Sequence, residues 1–207
     1  MNLLWVLENG LFAIGQLLRL PVMALLWICV LAVVAMAGWS LAELVRRRRE
    51  RLGMNIERWL RAGPVLTADA TRRAELTPAL RAFVESLQEQ ARNGALDEEV
   101  LAHAVMESEE RARTTLNGPR LLVKAAPSLG LVGTLIPMGG SMAAMANGNL
   151  AAMAGEMVVA FTTTIIGIAC GTAAFVILLA RQGWLNQQLR EQRFVAEKVL
   201  AELRAQQ

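Results

Sequence analysis

The chain has 207 residues, 55% of them apolar, and a net charge of only +3 despite a pI near 9.5. The charges crowd into 46–124 and 181–207, leaving long uncharged stretches that no ordinary soluble domain would carry. The basic residues have no interleaved aromatics, which argues against nucleic-acid binding.

Three stretches reach the roughly 20 apolar residues a helix needs to cross a bilayer core: Pro21–Leu41, Ala125–Asn147 and Met157–Ala180. The sequence therefore predicts an all-α membrane protein with three transmembrane helices. Its expected segments are 1–19, 20–45, 46–124, 125–147, 156–180 and 181–207.

Met1–Leu18 has no basic residue before its apolar run, unlike a cleaved signal peptide. Asn2, Asn9 and Gln16 recur every seven residues beside Glu8. That narrow polar stripe predicts an amphipathic helix lying at the outer membrane surface. Gly10, Gly15 and Pro21 argue against a rigid continuation into the first span.

Basic residues near span ends mark the cytoplasmic side. Arg46–Arg49 and Arg51 follow span one, Arg120 and Lys124 precede span two, and Arg181, Arg190 and Arg193 follow span three. The opposite side offers Arg19. An outside N-terminus, a cytoplasmic middle segment and a cytoplasmic C-terminus are expected, in a bacterial-type inner membrane. Asn147-Gly148-Asn149 suits a tight outer turn.

In the middle segment, Thr77-Pro78 predicts a helix start. Leu80, Val84, Leu87 and Ala91 follow at helical spacing, and Asn93-Gly94 predicts the stop. Asp97 is the expected N-cap of the next helix, with Leu96 and Leu101 placed for a hydrophobic staple and Glu98 and Glu99 favourable in its first turn. That helix is expected to run to about Asn117 and to break or kink at Gly118-Pro119. Leu185, Leu189, Val195 and Val199 predict a C-terminal helix extending span three.

Catalytic signatures are absent, so no enzyme is expected. His103 has no nearby Cys or His partner for a metal. No Gly-x-Ser-x-Gly elbow or phosphate-binding loop is present, and no cofactor is expected. Cys29 and Cys170 both fall in spans and are read as apolar core residues rather than a disulfide.

Spans two and three are rich in small residues, which let helix backbones approach in lipid. Gly130, Thr134, Pro137 and Ser141 fall on one side of span two; Glu156, Ala160, Thr163, Gly167 and Gly171 share one side of span three, with Thr164 at its edge. Two readings stand. Tight packing accounts for the glycines, while Thr162-Thr163-Thr164 suggests a polar track, since three consecutive hydroxyls point in different directions.

The pattern Ala126-Pro127-x-x-Gly130-Leu131-x-Gly133-Thr134, followed after a turn by Thr164-x-x-Gly167, resembles the MotA/TolQ/ExbB proton-channel family. The resemblance covers about 124–181. It implies a ring of five chains around two copies of a single-span partner (MotB/TolR/ExbD-like) that supplies a membrane aspartate. Ion flow then turns ring and partner against each other and delivers work to the envelope. By the motif match, Thr134 and Thr164 face that aspartate. Many ExbB-like and TolQ-like members carry a glutamate five residues before the span-three threonine. Here that position is Val159, and Glu156 lies nearly a turn further out. The middle segment is also short for a flagellar stator.

The candidate ion pathway is thus Thr134, Thr164, Thr163 and Glu156. Candidate packing or pore-lining positions are Gly130, Gly133, Pro137, Ser141, Gly167 and Gly171. Glu156 has two open roles, attracting cations to the track or capping a helix start. The alternative to an ion-driven motor subunit is a non-conducting scaffold whose cytoplasmic helices bind a soluble protein. A secondary transporter fits less well, since three spans give no inverted repeat.

Overall fold

A computed structural model describes the backbone of residues 3–51 and 56–205, and side chains at 10, 13–47 and 56–205. Every regular element among these residues is a helix: α1 (Leu3–Arg51), α2 (Ile56–Arg61), α3 (Ala70–Ala74), α4 (Pro78–Arg92), α5 (Glu98–Thr114), α6 (Asn117–Ala146) and α7 (Leu150–Arg204). Among the described residues, three helical stretches are long and apolar enough to cross a membrane, one each within α1 and α7 and one ending with α6. Leu20, Trp27, Leu31 and Trp39 of α1 are more than 60% exposed, as suits side chains that meet lipid or another chain.

Pro21 departs from expectation. Helix α1 runs unbroken through Gly10, Gly15 and Pro21, so no helix break separates residues 3–19 from the first span. Helix α6 likewise contains Pro127 and Pro137. Inside a bilayer a broken helix strands its backbone groups without water, so continuity is the cheaper solution even at proline. The side chains of the expected polar stripe at Asn2, Glu8 and Asn9 lie outside the described residues. The expected break at Gly118-Pro119 falls earlier, at Thr115–Leu116. Pro119 sits in the first turn of α6, where its missing N–H leaves no bond unmade.

The chain divides into two compact units. One comprises Met1–Trp39 and Gly118–Leu178 and contains the spans; the other comprises Ser40–Asn117 and Leu179–Gln207.

The second unit has its own apolar core. Leu80, Val84 and Leu87 of α4 meet Trp59, Val65, Leu101, Val195 and Val199. The loop before α3 is fastened by side chains. Gln88 donates to the carbonyls of Val65 at 3.0 Å and Ala68 at 3.1 Å. The Glu202 carboxylate accepts the Val65 N–H at 2.8 Å. Trp59 Nε1 donates to the Arg72 carbonyl at 2.8 Å, while the Arg72 guanidinium lies 5.0 Å from the indole centroid. The expected ends of α4 and α5 are present. Thr77 and Pro78 open α4, though the Thr77 hydroxyl makes no cap bond, and Gly94 closes it at φ +67°. Asp97 caps α5 by accepting from Val100 N at 2.8 Å, and Leu96 and Leu101 both pack into the core.

Glu109 of α5 accepts from Arg113 and from Arg193 of α7, the latter at 2.9 Å. These hydrogen bonds, Arg113 first, hold its carboxyl below the usual range. A carboxylate with a lowered folded pKa stabilises above its unfolded value, and the gain is lost as pH falls through the folded value. Acidifying below about pH 4 should therefore loosen α5 from α7. Glu109→Gln should flatten that acid limb of thermal stability, measured by circular dichroism in detergent, with a small amplitude because the pair is partly solvated.

Candidate functional site

Helices α6 and α7 form an antiparallel hairpin within the first unit. The turn is local chemistry. Gly148 takes φ +70°, Asn149 N donates to the Ala144 carbonyl at 2.9 Å, and Asn149 Oδ1 caps α7 through Ala152 N at 3.0 Å.

The two helices touch along their backbones. A Cβ placed on Gly167 would lie 2.7 Å from Gly130 Cα and 2.8 Å from the Ala126 carbonyl oxygen. One on Gly171 would lie 2.5 Å from Pro127 Cγ, and one on Gly133 would lie 3.0 Å from Thr163 Cβ. Gly130, Gly133, Pro137, Ser141, Gly167 and Gly171 are all buried. Ser141 Oγ reaches across to the Met153 carbonyl at 3.3 Å. These six residues thus build the α6–α7 seam of a single chain.

The three threonines separate. Thr162 is exposed and bonds the Val158 carbonyl at 2.8 Å. Thr163 is buried against Gly133 and bonds the Ala160 carbonyl at 2.8 Å. Thr164, partly exposed, has a hydroxyl with no hydrogen-bond partner among the described residues. Thr134, also partly exposed, turns its hydroxyl to the Leu131 carbonyl at 2.6 Å.

The contact between Pro127 and Gly171 fixes where Thr134 and Thr164 stand. Thr134 comes seven residues after Pro127, and Thr164 seven before Gly171. Seven residues is close to two turns, so each threonine lies under its contact residue, about 10 Å along the helix. Because the helices are antiparallel, both displacements run the same way. Thr134 and Thr164 therefore lie at one level and on one flank of the seam.

Helix α1 occupies the other flank. Cys29 and Val33 pack with Leu122 and Ala126 of α6 and Cys170 and Ala174 of α7. Both cysteines are free and buried. The threonine flank, beside Leu131, Met138, Phe161 and Ile168, is left exposed in the single chain.

Glu156 does not cap the helix start. Helix α7 begins at Leu150, and Asn149 supplies the cap. The Glu156 carboxylate instead meets Arg19 of α1. Nη1 donates to Oε1 at 3.1 Å, and Nη2 lies 3.1 Å from Oε2 as a charge contact off hydrogen-bonding alignment. Gly140 leaves room for it, with the Glu156 carboxyl carbon 3.8 Å from where a Cβ would stand. The expectation for this glutamate overlooked Arg19 as its partner. The signal was available, since charged groups at membrane depth pair with one another and Arg19 is the nearest base outside that end. The described residues contain no group of three or more potential metal ligands.

The seam is sensitive to single atoms. Gly167→Ala should push α6 and α7 apart, because the new methyl meets backbone rather than a flexible side chain. A loss of about 1–3 kcal/mol is expected, the usual cost of overpacking. Gly155→Ala, with nothing within 4 Å, should be neutral or slightly stabilising. Thermal melts in detergent distinguish the two.

A family model described as the MotA/TolQ/ExbB proton channel family matches residues 72–193, from Arg72 through most of α7. No curated protein and no solved structure matches the chain. The match covers more than half of the sequence and includes the whole glycine seam and both flanking threonines. Members of this family are proton channels of ion-driven motors and generally act in oligomers with MotB/TolR/ExbD-type partners. With its three membrane-spanning helices and its matched glycine–threonine hairpin, the chain belongs to the MotA/TolQ/ExbB proton channel family.

Proposed function

We propose that this protein is the ring-forming subunit of an ion-driven motor, with protons as the ion, acting as a channel component rather than an enzyme. The observation that carries the reading is the shared level and flank of Thr134 and Thr164. Two hydroxyls face outward from a rigid seam, on the side that α1 leaves uncovered. Hydroxyls donate and accept hydrogen bonds but do not titrate near neutral pH, so they cannot carry a proton by changing charge.

The one charged residue of 125–180 is Glu156, and its charge is engaged by Arg19. The carrier must then be a carboxylate on another chain. A single-span partner with a membrane aspartate, present in two copies inside a ring of five, supplies it in this reading. The exposed apolar residues beside the threonines provide surface for neighbouring copies and partner. Proton transfer on and off the aspartate turns ring and partner against each other and couples ion flow to work on the cell envelope. The N-terminus lies outside and the C-terminus in the cytoplasm of a bacterial-type inner membrane, consistent with the arginines after spans one and three. Of the four candidate pathway residues, Thr134 and Thr164 line the path. Thr163 sets the seam behind them, and Glu156 holds α1 in place.

Thr→Val keeps the side-chain shape and removes the hydroxyl. Thr134→Val and Thr164→Val should each lower ion-driven activity about tenfold, the effect of losing one hydrogen bond to a charged group. Native mass spectrometry should still find a pentamer. Full activity in both variants, or a monomer across several mild detergents, would sink the reading.

A further inference from the structure

The wall between α1 and α7 contains a cleft the ion path does not use. It has a volume of about 460 Å³, with Met23, Trp27 and Val30 on one side and Val159, Thr162 and Ile166 on the other. All belong to the unit that contains the spans. The Thr162 and Thr163 hydroxyls on this wall donate to carbonyls of their own helix. Water needs two to four polar partners to remain in a cavity, and this wall is too apolar to hold it. The cleft opens sideways, since Trp27 is 68% and Val158 65% exposed, so its occupant comes from the membrane side.

The end nearest the Asn147–Asn149 turn is charged. Arg19 stands one turn before Met23 on α1, and Glu156 one turn before Val159 and Ala160 on α7. Their ion pair closes that end. The Arg19 side chain keeps 37% of its surface exposed. A guanidinium has five N–H donors, and Glu156 engages only one side of it. From Arg19 to Val30 the helix advances about 16 Å, close to the depth of one leaflet, half of a core about 30 Å thick.

We propose that this cleft holds one acyl chain of a phospholipid whose phosphate is bound by the free N–H groups of Arg19. Guanidinium N–H donors left over at the mouth, an apolar wall of leaflet depth and a sideways opening converge on that occupant. Val159 gives the site a further meaning. A carboxylate at 159 would put a charge into the cleft, and valine keeps it fit for hydrocarbon. The proposal depends on the chain spanning a membrane and not on the motor reading, so either can fail alone.

The test uses the full chain in vesicles of phosphatidylethanolamine with phosphatidylglycerol that carries a diazirine in one acyl chain. After irradiation, mass spectrometry should place adducts on Met23, Trp27, Val159, Thr162 and Ile166. Adducts there should exceed those on Leu31 and Val34, which are more exposed than Met23, Val159 and Ile166, about tenfold, the ratio for one well-made charged contact. Val159→Phe narrows the cleft and should remove the excess. The paired change Arg19→Gln with Glu156→Gln avoids stranding a charge and should abolish the preference for phosphatidylglycerol over a phosphatidylethanolamine probe. Should either variant fail to fold, the wild-type adduct map decides. Adducts spread evenly over all exposed apolar positions would overturn the proposal. So would a cleft free of adducts in which Thr162→Cys cross-links to a second copy of the chain.

Discussion

At Gly130 and Gly167 two helix backbones come so close that one methyl group would force them apart. Lipid offers little hydrophobic drive for helices to associate, so close packing of small residues has to supply it. The register of the hairpin follows from this contact. It sets Thr163 against Gly133, Pro127 against Gly171 and Glu156 beside Gly140. Thr134 and Thr164 are then carried to a common level on one flank while α1 closes the other. The polar positions of the site are consequences of apolar and backbone packing. A change at a buried glycine is accordingly expected to disturb hydroxyls that it never touches.

The charges of the spanning unit are arranged with equal economy. Arg19 and Glu156 form an ion pair across α1 and α7. An unpaired charge at that depth would be costly. As a pair, they pin the two helices at the turn end and leave the threonine flank without any charge of its own. That neutrality matters for mechanism. A neutral, hydroxyl-bearing face can solvate a carboxylate brought by another chain in both its protonated and ionised forms. A fixed charge there would bias it toward one form.

Much of this was legible in the sequence for physical reasons. Spans are written in the lengths of uncharged stretches, so the three-helix architecture followed from composition. Helix ends in the charged segment were legible because capping uses few residue types, as at Asp97 and Gly94. The small-residue faces of spans two and three were visible from their spacing, and they are the buried faces except at Thr134 and Glu156, which stay partly exposed. Prolines were misleading. Rules drawn from water predict a break at Pro21, whereas a membrane penalises the broken helix more than the proline. The division of labour among Thr162, Thr163 and Thr164 was not legible, since it depends on where α1 packs. Nor was the α1–α7 cleft, because a cavity arises from what two distant segments fail to fill. Glu156 shows the middle case. Its exceptional position was evident, but its partner lies 137 residues away.

The central claim is that the chain holds the path for protons but not the group that carries them. Proton flux into vesicles under an imposed membrane potential tests it directly. The protein alone should be silent, and adding a single-span partner with a membrane aspartate should open flux. Aspartate to asparagine in that partner should abolish flux while the complex still forms. Sustained, proton-selective flux through the protein alone would contradict the account, because this chain would then carry protons with groups of its own.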